Sequence, residues 1–253
     1  MTRGVAEEFY RHDYWPERLA PGRAGDLVDG YGTKRSREIV DLLAKRIRRG
    51  ARILGVGCGK GGLLRLLVDS LECRAVGIDP GLEPHEIAAL RQAGVDARRG
   101  EFSEALFAPE SFDLILLVHV LEHLHDPGST LAAIRGLLAT DGLLFVEVPN
   151  MESAAIEKRL SRWLKAEHLW YFSPPHLATL ACRAGFQPLE TSANGAIRLI
   201  ASVGKLSEGM PIGERVVASV VGGLLWHEIA YWGRWTVRKL MSMLGISSGE
   251  SRV

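Results

Sequence analysis

Hydrophobic positions along the chain alternate between two spacings, which predicts alternating strands and helices. Short strand-like runs occupy residues 51–56, 74–79, 95–98, 112–119 and 143–148. The intervening segments carry apolar residues at helical spacing and predict helices over 33–49, 62–71, 83–92, 127–138 and 174–184. Strand–helix alternation of this kind predicts a parallel sheet with right-handed crossovers.

The pattern changes near residue 186. Two apolar runs, 186–191 and 197–203, are joined through Asn194-Gly195. Asn-Gly between strands is the strongest short-range signal for a hairpin. The chain is therefore predicted to be an α/β protein with a doubly wound, Rossmann-like, seven-stranded sheet, mostly parallel and with a final antiparallel hairpin strand.

Three regions follow from the same patterns. Residues 1–32 are rich in aromatics, Gly and Pro and predict an N-terminal cap, whereas 33–204 form the predicted core, with a substrate insert at about 150–175. Residues 205–253 predict an amphipathic helical tail with three tryptophans. Such a tail favours packing on the core, a homodimer, or peripheral contact with the inner face of a membrane. Its apolar run, 216–226, is shorter than the roughly 20 residues that a membrane span needs.

Composition narrows the class of protein. With 47% hydrophobic and 24% charged residues the chain is typical of a globular protein, and its net charge of +1 gives no basic field for nucleic acid. The three cysteines are far apart and predict neither a disulfide framework nor a zinc site. No apolar stretch follows a basic start at the N-terminus, so a cytoplasmic location and no secretory signal are expected.

The candidate chemistry begins at a glycine-rich loop between the first strand and the next helix. Gly57 and Gly59 allow the backbone to approach a ligand closely, and the helix that follows offers unpaired N–H groups. Asp79 ends the second strand, where a carboxylate can accept both hydroxyls of a ribose. With Gly62, these residues also match the dinucleotide fingerprint, so the loop alone is compatible with NAD and with S-adenosyl-L-methionine.

Four ordered segments separate these alternatives: RILGVGCGKGGLL, AVGIDP, SFDLILLVHVLEHLHDPGSTLAAIRGLLATDGLLFVEVPN and HLWYFSPPHLATLACRAGFQPLE. Over residues 33–203 they resemble the class I S-adenosylmethionine-dependent methyltransferases, most of all the branch with ubiquinone-biosynthesis and sugar-tailoring enzymes. The resemblance implies S-adenosyl-L-methionine as cofactor and a small-molecule acceptor, such as a sugar, an isoprenoid-linked phenol or a secondary metabolite, methylated mainly on oxygen. It disfavours an NAD-dependent oxidoreductase.

The resemblance also assigns residue roles. It implies that Gly57 and Gly59 pass under the methionine part of the cofactor, with Gly55 and Cys58 also among the cofactor-binding residues. It further implies that Asp79 holds the ribose and Pro80 flanks the adenine, that Glu101 and Phe102 lie near the adenine amino group, and that His119 lies beside the methyl donor. One departure stands out, because Gly55 occupies a position where the family usually has an acidic residue that fixes the cofactor's amino end. A non-catalytic scaffold with impaired cofactor binding is therefore an alternative.

Methyl transfer from a sulfonium is an in-line displacement that needs mainly alignment of the reactants and exclusion of water. A base is required only where the acceptor must lose a proton. The candidates are His119 and His123, at the end of the fourth strand, and His168, in an aromatic segment of the insert. We expect the base to be His168 or His119, with His123 either a base or a residue that orients the following loop. No metal site is expected.

Overall fold

A computed structural model describes residues 33–153 and 167–204. The predicted N-terminal cap, residues 154–166 of the predicted insert and the predicted tail lie outside the described residues. Seven strands form one sheet: β1 Arg52–Val56, β2 Arg74–Asp79, β3 Val95–Arg99, β4 Phe112–Val118, β5 Leu138–Pro149, β6 Phe186–Asn194 and β7 Ala196–Val203. Their order in the sheet is β3-β2-β1-β4-β5-β7-β6.

The predicted mixed sheet is confirmed. Strands β1 to β5 pair in parallel, and β7 runs antiparallel to both β5 and β6. The β6–β7 hairpin turns at Gly195, whose φ of +74° suits the Asn-Gly turn. Strand order reverses direction between β1 and β4, and ligands of open α/β sheets bind beyond the carboxyl ends of the strands at such a switch point.

Five helices cover the two faces of the sheet in the described part of the chain: α1 Lys34–Ala44, α2 Gly62–Leu71, α3 Pro84–Gln92, α4 Pro127–Leu137 and α5 Pro174–Arg183. Buried side chains of α1, α2 and α3 belong to one core cluster, and those of α4 and α5 belong to the other. Both faces of β4 are therefore covered, which explains its continuous apolar sequence. None of the helices among these residues is long and apolar enough to cross a membrane.

Two boundaries differ from the sequence-based prediction. Helix α1 ends at Ala44 rather than near residue 49. The guanidinium of Arg46 donates to the carbonyl of Leu42 at 2.7 Å and pairs with Glu190, so the basic residues end the helix instead of continuing it. Strand β5 begins at Leu138, earlier than its apolar run suggests, because Leu138 already pairs with Phe112.

Candidate functional site

The glycine loop joins β1 to α2 at the carboxyl edge of the sheet. Gly57, Gly59 and Gly61 have φ angles of +62°, +55° and +73°, a left-handed conformation that glycine adopts without strain. The backbone N–H groups of Gly57 and Cys58 donate to the carbonyl of Ile78 at 2.9 and 3.2 Å. The loop is thereby attached to the end of β2.

Asp79, the last residue of β2, lies directly beside this loop and is buried. One carboxylate oxygen accepts a hydrogen bond from the N–H of Gly59 at 2.8 Å, and the other accepts one from Gly81 at 2.7 Å. Burial raises the pKa of Asp79, while these two N–H groups oppose the rise. Each carboxylate oxygen has two lone pairs and so keeps acceptor capacity for a ligand hydroxyl.

Space around the loop glycines differs from one to the next. A Cβ at Gly57 would lie 2.5 Å from Cγ2 of Val120, whereas a Cβ at Gly59 would have no atom of residues 33–153 or 167–204 within 4 Å. Val120 is β-branched and stiff at χ1, so it moves aside only with difficulty.

We expect Gly57→Ala to lower the free energy of unfolding by about 3 kcal/mol, because left-handed backbone strain and overpacking add together. Gly59→Ala is the matched control, because it has the same strain without the collision, and should cost about 1–2 kcal/mol. Urea denaturation of both variants measures the difference. Equal losses would contradict a close contact between Gly57 and Val120.

Gly55 lies in β1 below the loop and is buried. A Cβ there would lie 3.0 Å from Cδ1 of Leu64 and 3.3 Å from Cβ of Cys58. The space in which an acidic side chain would begin is therefore bordered by α2 and by the loop itself. The thiol of Cys58 also lies close to β2, since a Cβ at Gly77 would lie 2.8 Å from its Sγ. Burial raises the pKa of the Cys58 thiol, with the charge of Asp79 acting in the same direction, so the thiol stays protonated and packed.

The residues predicted to contact adenine lie next to Asp79. Pro80 follows it directly and is exposed. The N–H of Gly100 donates to the Asp79 carbonyl at 3.2 Å, which brings the end of β3 alongside. Glu101 is exposed there, and Phe102 is half-buried against the core. Their contacts with adenine stay predictions.

His119 follows β4 and is held between two buried carboxylates. Its φ of +55° is unfavourable for a residue with a side chain, and its N–H donates to the Glu147 carbonyl at 2.8 Å. Nδ1 lies 3.0 Å from Oε1 of Glu122, and Nε2 lies 3.6 Å from Oε1 of Glu147. Although burial disfavours the charged ring, these carboxylates raise the pKa of His119. This environment favours the imidazolium, which has no lone pair to accept a proton.

Glu147 is a fully buried acid in the apolar second half of β5. It accepts hydrogen bonds from Nε of Arg35 on α1 and from Nε of Arg198 on β7, and Arg198 also pairs with Glu38 at 3.1 Å. Although burial favours the neutral acid, the neighbouring His119 and the two guanidinium charges lower the pKa of Glu147 to about 2. One carboxylate thus connects α1, β5, β7 and the turn after β4.

His123 and His168 lie together although they are far apart in the sequence. Their rings meet edge to face with centroids 4.8 Å apart. Nδ1 of His123 is 2.9 Å from the carbonyl of Glu167, which only accepts, so Nδ1 carries the proton and the neutral ring has its lone pair on Nε2. Burial lowers the pKa of His123, with the charge of Glu122 opposing, so the ring is neutral at pH 7.

The segment that carries His168 is tied to the short 3₁₀ turn Leu121–His123. The backbone N–H groups of Leu169 and Trp170 donate to the carbonyl of Glu122 at 2.8 and 3.1 Å, and the indole N–H of Trp170 donates to the carbonyl of Leu124 at 2.8 Å. The ring of Tyr171 lies 5.9 Å from that of His168. Aromatic and imidazole rings are thereby held beside His123.

Three side chains here also form a group with metal-ligating chemistry. Donor atoms of Glu122, His123 and His168 lie within 4.8 Å of one another, and Oε2 of Glu122 is buried with no hydrogen-bond partner among the described residues. Ligands around a zinc ion with bonds of about 2.1 Å lie about 3.4 Å apart, so the group would have to contract to hold an ion. As it stands it is a polar cluster.

Sequence reasoning missed the acidic and basic partners at this edge. Glu147, Arg35 and Arg198 were not predicted as site residues. The one available signal was an acid inside the apolar run LLFVEVP. A buried charge needs partners, but the sequence does not say that they come from α1 and β7.

Sequence comparison relates this chain to known proteins. A family model described as "Methyltransferase domain" matches residues 29–191. A ubiquinone biosynthesis O-methyltransferase from Cereibacter sphaeroides is 32% identical over 163 residues, which are 59% of this chain and 66% of the relative. The chain thus spans slightly less than two thirds of the length of that relative.

Solved structures share the fold at low identity. The 1,6-didemethyltoxoflavin-N1-methyltransferase of Burkholderia thailandensis, solved with S-adenosylhomocysteine, superimposes with a TM-score of 0.60 at 18% identity and covers 80% of this chain and 88% of its own. The cyclase SpnF superimposes with a TM-score of 0.53 at 16% identity, over 66% of this chain and 81% of its own. The fold therefore accommodates more than one chemistry, but the family match covers most of this chain. The chain belongs to the class I S-adenosylmethionine-dependent methyltransferases.

Proposed function

We propose that this protein binds S-adenosyl-L-methionine and transfers its methyl group to an oxygen of a small-molecule acceptor. One observation carries the proposal: the glycine loop is hydrogen-bonded to the Asp79 carboxylate at the switch point of the sheet. The chain that holds this arrangement belongs to the methyltransferase family. The name of the Cereibacter sphaeroides relative supports oxygen as the acceptor atom.

The chain's own residues have separate tasks in binding. The Asp79 carboxylate accepts hydrogen bonds from the two ribose hydroxyls, while the N–H groups of Gly59 and Gly81 hold it in place. Gly57 and Gly59, which have no side chains, let the methionine part pass close to the backbone. The bound cofactor supplies the activated methyl group. Because Asp79 is buried and its pKa is raised, we infer that binding weakens on the acid side at a higher pH than an ordinary aspartate would cause.

The proton of a hydroxyl acceptor goes to Nε2 of His123 in this proposal. The Glu167 carbonyl fixes the tautomer, and burial keeps the ring neutral. His168 positions the ring of His123 by packing against it. His119 is a weaker candidate than the sequence suggested, because its two carboxylate neighbours favour the protonated ring. As an imidazolium it would help to align the reactants without removing a proton.

Calorimetric titration with S-adenosylhomocysteine, S-adenosylmethionine and NAD tests the cofactor assignment. We expect micromolar binding of both sulfur ligands and none of NAD. Binding would show that the chain tolerates Gly55, and methylation of candidate phenols and sugars could then be measured by mass spectrometry. Absence of binding to either sulfur ligand would overturn the enzymatic proposal and favour a non-catalytic scaffold, while binding of NAD alone would favour an oxidoreductase.

A further inference from the structure

The two loops that form the predicted adenosine site are also joined by charged side chains. Nζ of Lys60, in the glycine loop, lies 3.0 Å from Oε1 of Glu86, in the first turn of α3. Neither is fully exposed, since the side chain of Lys60 is 31% exposed and that of Glu86 is 13% exposed. The pair therefore lies where solvent screening is weaker than at an open surface.

Glu86 makes a second contact that fixes its position. Its Oε2 accepts from the N–H of Glu83 at 3.0 Å and completes a reciprocal cap at the start of α3. Although burial works the other way, this N–H and the Lys60 ammonium lower the pKa of Glu86, so its carboxylate is charged at neutral pH. The residue that Lys60 contacts is thus anchored to the helix that follows Asp79.

Other contacts also join the glycine loop to the end of β2 and to α3 in the described part of the chain. Gly59 donates to Asp79, and a Cβ at Gly61 would lie 2.5 Å from Cδ2 of Leu90, so α3 packs closely on the loop. Glycines make the loop adaptable but also costly to order. An ion pair at the tip would restrict the loop before a ligand arrives, and preorganisation of that kind increases affinity.

We infer that Lys60 and Glu86 are a positioning pair that holds the glycine loop against the β2–α3 segment in the shape that receives the cofactor. This inference rests on the proposed function for its ligand, but the restriction of the loop is a property of the protein alone. Neither residue needs to touch the cofactor for the pair to act.

A double-mutant cycle with Lys60→Met and Glu86→Gln tests the pair. Glutamine keeps the hydrogen bond with Glu83 and removes only the charge. Each single variant should raise the Kd for S-adenosylhomocysteine about three- to fivefold, and the double variant should be no worse than either single one. Lys60→Arg should restore affinity. Arg49→Met breaks a more exposed ion pair, with Glu72, at the opposite edge of the sheet and should leave Kd unchanged.

Amide hydrogen exchange without ligand tests the positioning pair separately from the proposed function. The Gly59 and Gly81 amides should exchange faster in Lys60→Met and Glu86→Gln than in the wild type. Faster exchange in the two variants, together with a wild type that does not bind S-adenosylhomocysteine, would support the restriction of the loop while refuting the proposed function. Unchanged exchange, or additive losses of affinity in the double variant, would overturn the positioning pair.

Discussion

Replacing Asp79 by Asn should weaken binding of S-adenosylhomocysteine by at least about 100-fold. The carboxylate accepts from two backbone N–H groups, one on each oxygen. An amide has a single oxygen, so whichever way it turns, its NH₂ group faces one of the two N–H donors. The neutral amide is also a weaker acceptor for the two ribose hydroxyls of the proposed site, and hydrogen bonds to a charged group are worth about 1.5–3 kcal/mol each. A loss of about 2.7 kcal/mol already corresponds to 100-fold.

The matched control is Asp113→Asn. Asp113 lies near the start of β4, at the opposite edge of the sheet, and holds Arg52 through a 3.0 Å ion pair and by accepting from its backbone N–H at 2.8 Å. Its replacement should reduce stability without changing the Kd for S-adenosylhomocysteine. Calorimetry on both variants, with circular dichroism to confirm folding, separates ligand binding from a general loss of structure. Equal affinity of Asp79→Asn and wild type would exclude Asp79 from the cofactor site.

How far the sequence predicted the site depends on how local each signal is. The loop around Gly57 and the carboxylate of Asp79 are each adjacent to a strand end that an apolar run predicts, so their meeting at one edge follows from the parallel sheet alone. The same holds for the β6–β7 hairpin, since Asn194-Gly195 specifies its own turn.

The histidine cluster at the end of β4 was predicted less completely because its contacts are not local. His123 and His168 meet only because two backbone N–H groups after His168 bond to the Glu122 carbonyl, which no spacing rule predicts. His119 resembled a base when it was considered as a lone histidine at a strand end. Glu147, two strand positions before the end of β5, changes that interpretation, because it brings a second carboxylate to the ring. Charge partners from other elements decide the protonation state, and periodicity carries no information about them.

Replacing His123 by Asn should lower turnover of a hydroxyl acceptor by about 10²-fold or more, which is the usual contribution of a general base. The asparagine amide nitrogen takes approximately the place of Nδ1 and keeps the hydrogen bond to the Glu167 carbonyl, so the turn is preserved while the proton acceptor is lost. His125→Asn is the matched control, because His125 is exposed on the same loop. Initial rates at saturating S-adenosylmethionine measure the effect. An equal or larger loss in His168→Asn, with full activity in His123→Asn, would assign the base to His168 instead.

The pH dependence identifies both the base and the acceptor. Burial lowers the pKa of His123, so the neutral, proton-accepting form predominates above it, and kcat/KM should fall as the pH drops through a value below about 6.5. At saturating S-adenosylmethionine, where weaker cofactor binding through Asp79 does not limit the rate, that acid limb should be absent from His123→Asn. A phenol has a pKa of about 10 and loses its proton unaided at high pH, so the variant should approach wild-type turnover there. A sugar hydroxyl stays protonated throughout this range, so with a sugar acceptor the variant should turn over more slowly than the wild type at every pH. Retention of the acid limb in the variant would show that His123 is not the titrating base.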